Sequence, residues 1–356
     1  MVTAGAIQLP KTFVKMSNKL PVSTPPPVSD CEWQYLEDLS CAYWKSETLF
    51  AALEIDIFSY LREPVSTALL TEQINADQHK LHRLLTALCK LHLVDQINDL
   101  WQNSSLASRY LDKNAAEHLG HFLLYRRYIQ NPWQNLTGTI TGASTVPALS
   151  PSDSYQKRTF HYVRALDQLS KLKAHEIIPH LKQFSLGKRF LDIGGGAGAL
   201  CRELQQTVPD ATTVLFDLPE TLEVARQLYP NSLWDNILTT GGNFLKHDFT
   251  GTEPFSLVIL SNILHIYEYS MALSVLEKAI SLSVENGIIL VHDYFPDRDH
   301  YSVKGALYDI NMMVNTYNGS CHDSQTIAAL LAEAGATMHL ILDLTSDSTI
   351  LIASRP

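Results

Sequence analysis

The sequence predicts an α/β protein: a mainly helical first half, then a doubly wound, mostly parallel sheet closed by an antiparallel strand pair. Three observations predict it. From Lys188 onward, short apolar runs (RFLDIG, TVLFDL, FSLVILSN, GIILVHDY, MHLILDL, STILIAS) are mostly separated by helical segments. Before about residue 185 the apolar residues recur at helical spacing instead. The last two apolar runs are joined by only a few residues around Thr345-Ser346-Asp347. A parallel crossover needs a dozen or more, so that pair must be antiparallel.

Three regions are expected: a leader over 1–30, a helical domain with linker helices over 31–184, and the sheet domain over 185–356. The Pro-rich run at 21–28 reads as an extended leader outside any core. Trp33 to Tyr60 carries apolar residues at roughly helical spacing, and Ser66-Thr67 before ALLTEQI reads as a capped short helix. HKLHRLLTALCKLHLV is strongly amphipathic. LVDQ and LWQN flank an Asn98-Asp99 turn and read as a hairpin. Helix, helix, hairpin is the order of a winged-helix unit. Residues 112–182 read as helical again.

The 356 residues are 46% hydrophobic and 18% charged, a well-packed globular composition. A formal charge of −10 disfavours adhesion to nucleic acid or to anionic lipid. Cys31, Cys41, Cys89, Cys201 and Cys321 form no CxxC pair, which suits a reducing compartment and gives no zinc signature. With no apolar run of eighteen residues, the expectation is a cytoplasmic protein with no membrane and no nucleic-acid partner.

The loop Gly194-Gly195-Gly196-Ala197-Gly198 ends the strand RFLDI and opens the helix ALCRELQQTV. Glycines there let the backbone approach a ligand, and the helix start offers free N–H groups to an anionic end. Gly194, Gly196 and Ala199 also satisfy the dinucleotide fingerprint, with Asp217 at the distance of a ribose-binding acid. On this loop alone a nicotinamide dehydrogenase competes. Three features point elsewhere. The loop opens a second domain after a winged-helix unit, Asp217 closes the strand of Phe216-Asp217-Leu218-Pro219, and Ser261-Asn262-Ile263-Leu264-His265 puts a histidine beyond a strand tip.

Together LDIGGGAG, FDLP and SNILH resemble the plant-type and acetylserotonin-type small-molecule O-methyltransferases, over about residues 33–355. The resemblance implies the Rossmann-like class I methyltransferase sheet, S-adenosylmethionine as cofactor with S-adenosylhomocysteine as product, and a homodimer built by the winged-helix domain. Gly194 and Gly196 would lie against the methionine part, Asp217 would hold the ribose hydroxyls, and Leu218 would flank the base. Ser261 joins the cofactor set. The family's Gly-Asp-Phe step binds the adenine amine. Here GGNFLKHDFTG offers either Asn243-Phe244 or Asp248-Phe249, and spacing to Ser261 favours Asp248 and Phe249.

His265 holds the family's catalytic-base position, and counting from Gly287 puts Asp293 where its orienting carboxylate belongs. A neutral histidine suits removal of a hydroxyl proton. The second carboxylate of the plant form is missing from Asn318-Gly319-Ser320-Cys321-His322, which keeps methylation of sulfur, carbon or nitrogen open, on a small carboxylate-bearing acceptor such as a thioether acid. Arg126, Arg164, Met312 and Tyr317 are the expected acceptor-side residues, with Arg127 and Met313 beside them. An arginine facing the cleft would imply an anionic acceptor. A metal held by His265, His292, Asp293, Cys321 and His322 was weighed and no metal is expected. A cofactor-sensing DNA-binding regulator is the remaining alternative, disfavoured by the charge and by an apolar recognition helix.

Overall fold

The computed structural model describes residues 32–143, 153–298, 303–316 and 319–356. The chain divides into two compact units, 1–42 and 43–356. The first contributes one described helix, α1 (Glu32–Ser40), which exposes Trp33, Tyr35, Leu36 and Leu39.

The second unit opens with α2 (Tyr43–Glu54) and α3 (Ile57–Tyr60). Then follow β1 (Val65–Ser66), α4 (Thr67–Ile74), α5 (Gln78–Lys90), β2 (Val94–Ile97), β3 (Leu100–Asn103) and α6 (Ser105–Tyr110). Ser66 caps α4 by accepting the Leu69 N–H, and Asp77 caps α5 by accepting that of Lys80. One face of α5 buries Leu81, Leu85 and Leu88. The β2–β3 hairpin turns on Asn98 and Asp99, both left-handed (φ 48° and 63°), as a two-residue turn of matching twist requires. The helix–helix–hairpin order is therefore present. Its sheet gains a third strand that the sequence did not signal, because β1 is only two residues long.

Next come α7 (Gly120–Tyr128), a 3-10 turn at Asn131–Asn135, α8 (Leu136–Ile140) and the long α9 (Asp153–Leu181). The end of α9 buries Ala174, Ile177, Ile178 and Leu181 in one of the cores that flank the large sheet.

That sheet is built from β4 (Arg189–Ile193), α10 (Ala199–Thr207), β5 (Thr212–Asp217), α11 (Pro219–Leu228), β6 (Ile237–Gly241) and β7 (Phe255–Ser261). It continues with α12 (Tyr269–Ser281), β8 (Ser283–Asp293), α13 (Val303–Asn315), α14 (Ser324–Glu333), β9 (Thr337–Asp343) and β10 (Thr349–Ser354). The strand order is β6-β5-β4-β7-β8-β10-β9, with β10 antiparallel to both neighbours and the rest parallel. β6 escaped the sequence reading. Its ILTTG is half polar because it lies at the sheet edge with one buried residue, so no apolar run marks it. The order reverses between β4 and β7, and ligands of such sheets bind beyond the strand ends at that reversal. No helix among the described residues is long and apolar enough to cross a membrane.

Candidate active site

The glycine loop follows β4 at the reversal. Gly194, Gly196 and Gly198 are left-handed (φ +69°, +60° and +80°), a backbone that side chains rarely tolerate. A Cβ at Gly195 would stand 2.4 Å from an Asp192 oxygen, whereas nothing lies within 4 Å of one at Gly196. The loop is thus tight against the sheet and open above Gly196.

Asp217, at the tip of β5, accepts the Gly196 N–H at 2.8 Å on one oxygen and the Leu218 N–H at 2.7 Å on the other. Burial raises its pKa, against the opposing pull of these bonds. Each oxygen keeps acceptor capacity for a further donor. Beneath the loop, Asp192 is fully buried, and burial pushes its carboxyl to about 7. The Cys201 thiol donates to Oδ2 at 3.2 Å, while Oδ1 has no partner among the described residues. An orphaned buried acceptor, space over Gly196 and spare acceptors on Asp217 together fit a ligand with an ammonium group and paired hydroxyls. S-adenosylmethionine carries both.

The chain leaves β6 beside Asp217, with the Gly242 N–H donating to the Asp217 carbonyl at 3.0 Å. Asn243 and Phe244 follow at once. Asp248 lies further out, exposed, its Oδ1 accepting from the Thr250 N–H (2.8 Å) and hydroxyl (2.6 Å) in a local turn. Phe249 is half-buried among Phe216, Phe244 and His247. Lys278 of α12 fastens this loop: its ammonium donates to the carbonyls of Phe244 (2.7 Å), Leu245 (3.1 Å) and His247 (2.7 Å).

His265 sits on a 3-10 turn, Leu264–Ile266, just past β7, and Asp293 closes the neighbouring β8. The two residues are 7% and 3% exposed, and His265 Nδ1 lies 2.7 Å from Asp293 Oδ1. A carboxylate only accepts, so Nδ1 carries the hydrogen and Nε2 presents a lone pair. The Tyr294 N–H also donates to Asp293 Oδ1, at 2.9 Å, which fixes the carboxylate. Asn262, in the left-handed region (φ 54°), donates its N–H to the His292 carbonyl and turns the chain toward this position.

Ser261 and His292 form a second polar line. Lys173 of α9 donates to Ser348 Oγ (2.8 Å), so the Ser348 hydroxyl donates to His292 Nε2 (3.0 Å) and His292 Nδ1–H donates to Ser261 Oγ (2.8 Å). Burial first, then Lys173, lowers the pKa of His292 to about 4 and keeps it neutral.

Tyr308 of α13 meets the His265 ring edge-on at 5.9 Å and packs on Tyr294 at 4.6 Å. The Arg126 guanidinium lies 6.0 Å from the Tyr308 ring. Met312 is buried, Met313 is partly exposed and Arg164 is exposed. Arg164 stands near His121, whose pKa is lowered to about 4, by burial first and then by that charge. Tyr317 lies outside the described residues.

Residues 132–337 match the family model of the O-methyltransferase domain, and residues 37–113 that of the O-methyltransferase dimerisation domain. The chain belongs to the O-methyltransferase family. It is an S-adenosylmethionine-dependent methyltransferase of small molecules, and its dimerisation domain supports self-association. It is 28% identical over 290 residues to a 3-hydroxy-5-methyl-1-naphthoate 3-O-methyltransferase of Streptomyces sahachiroi, covering 79% of this chain and 83% of that one. Acetylserotonin O-methyltransferase of Macaca mulatta is 25% identical over 308 residues, covering 81% and 88%. The fold also superposes on the crystal structure of human N-acetylserotonin methyltransferase in complex with SAM, with a TM-score of 0.81 at 23% identity, over 93% of this chain and 99% of that one.

In this methyltransferase, Gly196, Asp217 and Leu218 stand together, as do His265 and Asp293, with Arg126 and Tyr308 beside them. Asp248 does not join the Asp217 cluster by any hydrogen bond among the described residues. The histidines of that possible metal set have separate partners: His322 the Tyr267 carbonyl, His292 two serines and His265 the Asp293 carboxylate. Asp192, Lys278, Tyr294 and Tyr308 were missed. Only Asp192 had a local signal, an acid in an otherwise apolar strand two residues before the glycines.

Proposed function

We propose that this methyltransferase methylates a hydroxyl group of a small aromatic acceptor, with His265 as general base and Asp293 as its orienting partner. The observation that carries this is the 2.7 Å contact between His265 Nδ1 and Asp293 Oδ1, which leaves Nε2 as the proton acceptor. When bound, S-adenosylmethionine supplies an electrophilic methyl group on a sulfonium. The acceptor oxygen would take that methyl as the sulfur–methyl bond breaks and leaves the neutral thioether of S-adenosylhomocysteine, and its proton would pass to His265 Nε2. In-line alignment supplies much of the rate, so the residues that seat both reactants matter as much as the base. The aromatic character of the acceptor is supported by the rings of Tyr294 and Tyr308 beside His265 and by the naphthoate named for one relative.

Gly194, Gly196 and Asp217 are assigned to the methionyl and ribose parts, with Leu218, Phe249 and Ser261 around the nucleoside. For the adenine amine we assign Asn243 rather than Asp248. Asn243 directly follows the Gly242–Asp217 backbone bond, which keeps it beside Asp217, although its Oδ1 accepts the Lys246 N–H at 3.3 Å. Asp248 lies further along the loop with Oδ1 engaged by Thr250. Two copies of the chain are proposed to form a homodimer, supported by the dimerisation-domain match and by exposed Trp33, Leu36, Tyr43 and Trp44. Light scattering at micromolar concentration should return twice the chain mass, and a monomer mass rejects the dimer. The methyl-acceptor atom is tested by mass spectrometry and NMR of the product, and by the loss of turnover in His265→Ala. A product methylated on sulfur, carbon or nitrogen rejects the hydroxyl reading.

A further inference from the structure

Arg126 and Arg127 are neighbours on α7 with opposite surroundings. Arg127 is paired with Glu54 (2.6 Å) and Glu47 (3.6 Å) of α2, which ties the two helices together. Arg126 has no carboxylate partner among the described residues. It is half-buried, and its guanidinium lies 4.9 Å from the Phe122 ring and 6.0 Å from the Tyr308 ring. Tyr308 is in edge contact with His265, and Tyr294, next to Asp293, packs on Tyr308. The positive charge of Arg126 reaches both tyrosines, lowering their otherwise raised pKa values.

A partly desolvated guanidinium loses hydration, and aromatic faces return only about 0.5–2 kcal/mol of it. Its fork of N–H donors is the side-chain geometry best matched to a carboxylate. Among the described residues no protein carboxylate fills that role, and the cation stands one aromatic ring away from the His265–Asp293 pair. We propose that Arg126 binds an anionic group on the methyl acceptor, and that the acceptor is a hydroxylated aromatic acid. This rests on the reading of His265 as the base. The acid's hydroxyl faces His265 Nε2, its carboxylate faces Arg126, and its ring lies beside Tyr308 and Phe122. His265 and Arg126 lie 5.9 and 6.0 Å from the same Tyr308 ring, which keeps the base and the cation within reach of a one- or two-ring acid. Arg127 is placed differently: Glu47 and Glu54 of α2 already neutralise its charge, although its Nη1 makes no hydrogen bond among the described residues.

The test is calorimetry on the full chain loaded with S-adenosylhomocysteine. The probes are 4-hydroxybenzoate and 6-hydroxy-2-naphthoate, each beside its own primary amide, with product formation followed by mass spectrometry. At least one acid is expected to bind about ten-fold or more tightly than its amide. Arg126→Gln should bring that ratio close to one at unchanged S-adenosylhomocysteine affinity, and Arg126→Lys should keep part of it. An acid-to-amide ratio near one in the wild type overturns the proposal, as does a ratio that survives Arg126→Gln. So does failure of both acids to bind at about 10 mM. His265→Ala separates the two readings, since it should lower methyl transfer about 10²–10⁴-fold and keep the acid preference. An Arg126-dependent preference without methylation at the hydroxyl leaves the anion site standing and removes the base assignment. Hydroxyl methylation indifferent to Arg126 does the reverse.

Discussion

His265, on the 3-10 turn past the end of β7, and Asp293, at the end of the adjacent parallel β8, meet 2.7 Å apart while nearly excluded from solvent. Register prepares the pairing: Ser261 of β7 stands opposite His292 of β8, and the turn that follows Ser261 brings His265 to Asp293. His265→Ala is expected to lower turnover about 10²–10⁴-fold with little change in S-adenosylmethionine affinity. Asp293→Asn should lower it less, because the ring then loses its fixed tautomer but keeps its basic nitrogen. A variant that keeps its turnover rejects the base role.

Asp217 is held by backbone N–H groups from two separate segments, so its removal should spare the fold and empty a ligand contact. Asp217→Ala is expected to weaken S-adenosylhomocysteine binding by about ten-fold or more, since bonds to a carboxylate contribute about 1.5–3 kcal/mol each. Calorimetry checks it, with the unfolding midpoint as a control. Unchanged affinity would remove Asp217 from the cofactor site.

Lys278 reaches three carbonyls of the loop that follows Asn243. Lys278→Met should raise the KM for S-adenosylmethionine roughly ten-fold while leaving kcat at saturation nearly intact, because it loosens a binding loop and touches no reacting group. Asn243→Ala should act in the same direction and Asp248→Ala much less. The opposite ranking of those two alanine variants would return the adenine contact to Asp248.

His292 predicts an acid limb in stability. Its folded pKa is about 4 against an ordinary 6.5, so between these values the unfolded chain binds a proton that the folded chain refuses. Stability from this group is complete above about 6.5, falls as pH drops, and levels off below about 4. The loss amounts to about 3 kcal/mol at most. Thermal unfolding from pH 7 downward should show a shallower decline in His292→Asn than in the wild type. Equal slopes would place the acid sensitivity elsewhere, His121 being the next candidate because burial lowers its pKa too.

What the sequence determined by itself is local. Strand-length apolar runs fixed most of the large sheet, since a strand buried on both faces must be apolar throughout. The short link at Thr345-Ser346-Asp347 dictated the antiparallel end, because chain length alone forbids a crossover there. The glycine loop, Asp217 and His265 were legible because each sits at a strand tip, where residue type answers to backbone geometry. Tertiary structure alone decided the partnerships. The edge strand β6 has no apolar signal, and its neighbour β5 identifies it. Arg126 and Arg127 are adjacent and chemically identical, yet α2 neutralises one and α13 brings Tyr308 to the other. The backbone bond from Gly242 to Asp217 puts Asn243, rather than Asp248, next to the tip of β5, a closeness that no local sequence signal marks. His292 owes its neutrality first to burial between strands and then to the charge of Lys173, far away in the chain on α9. A side chain's charge state and its ligand depend on what packs against it, and contacts between residues so distant in the chain leave no pattern in either one's local sequence.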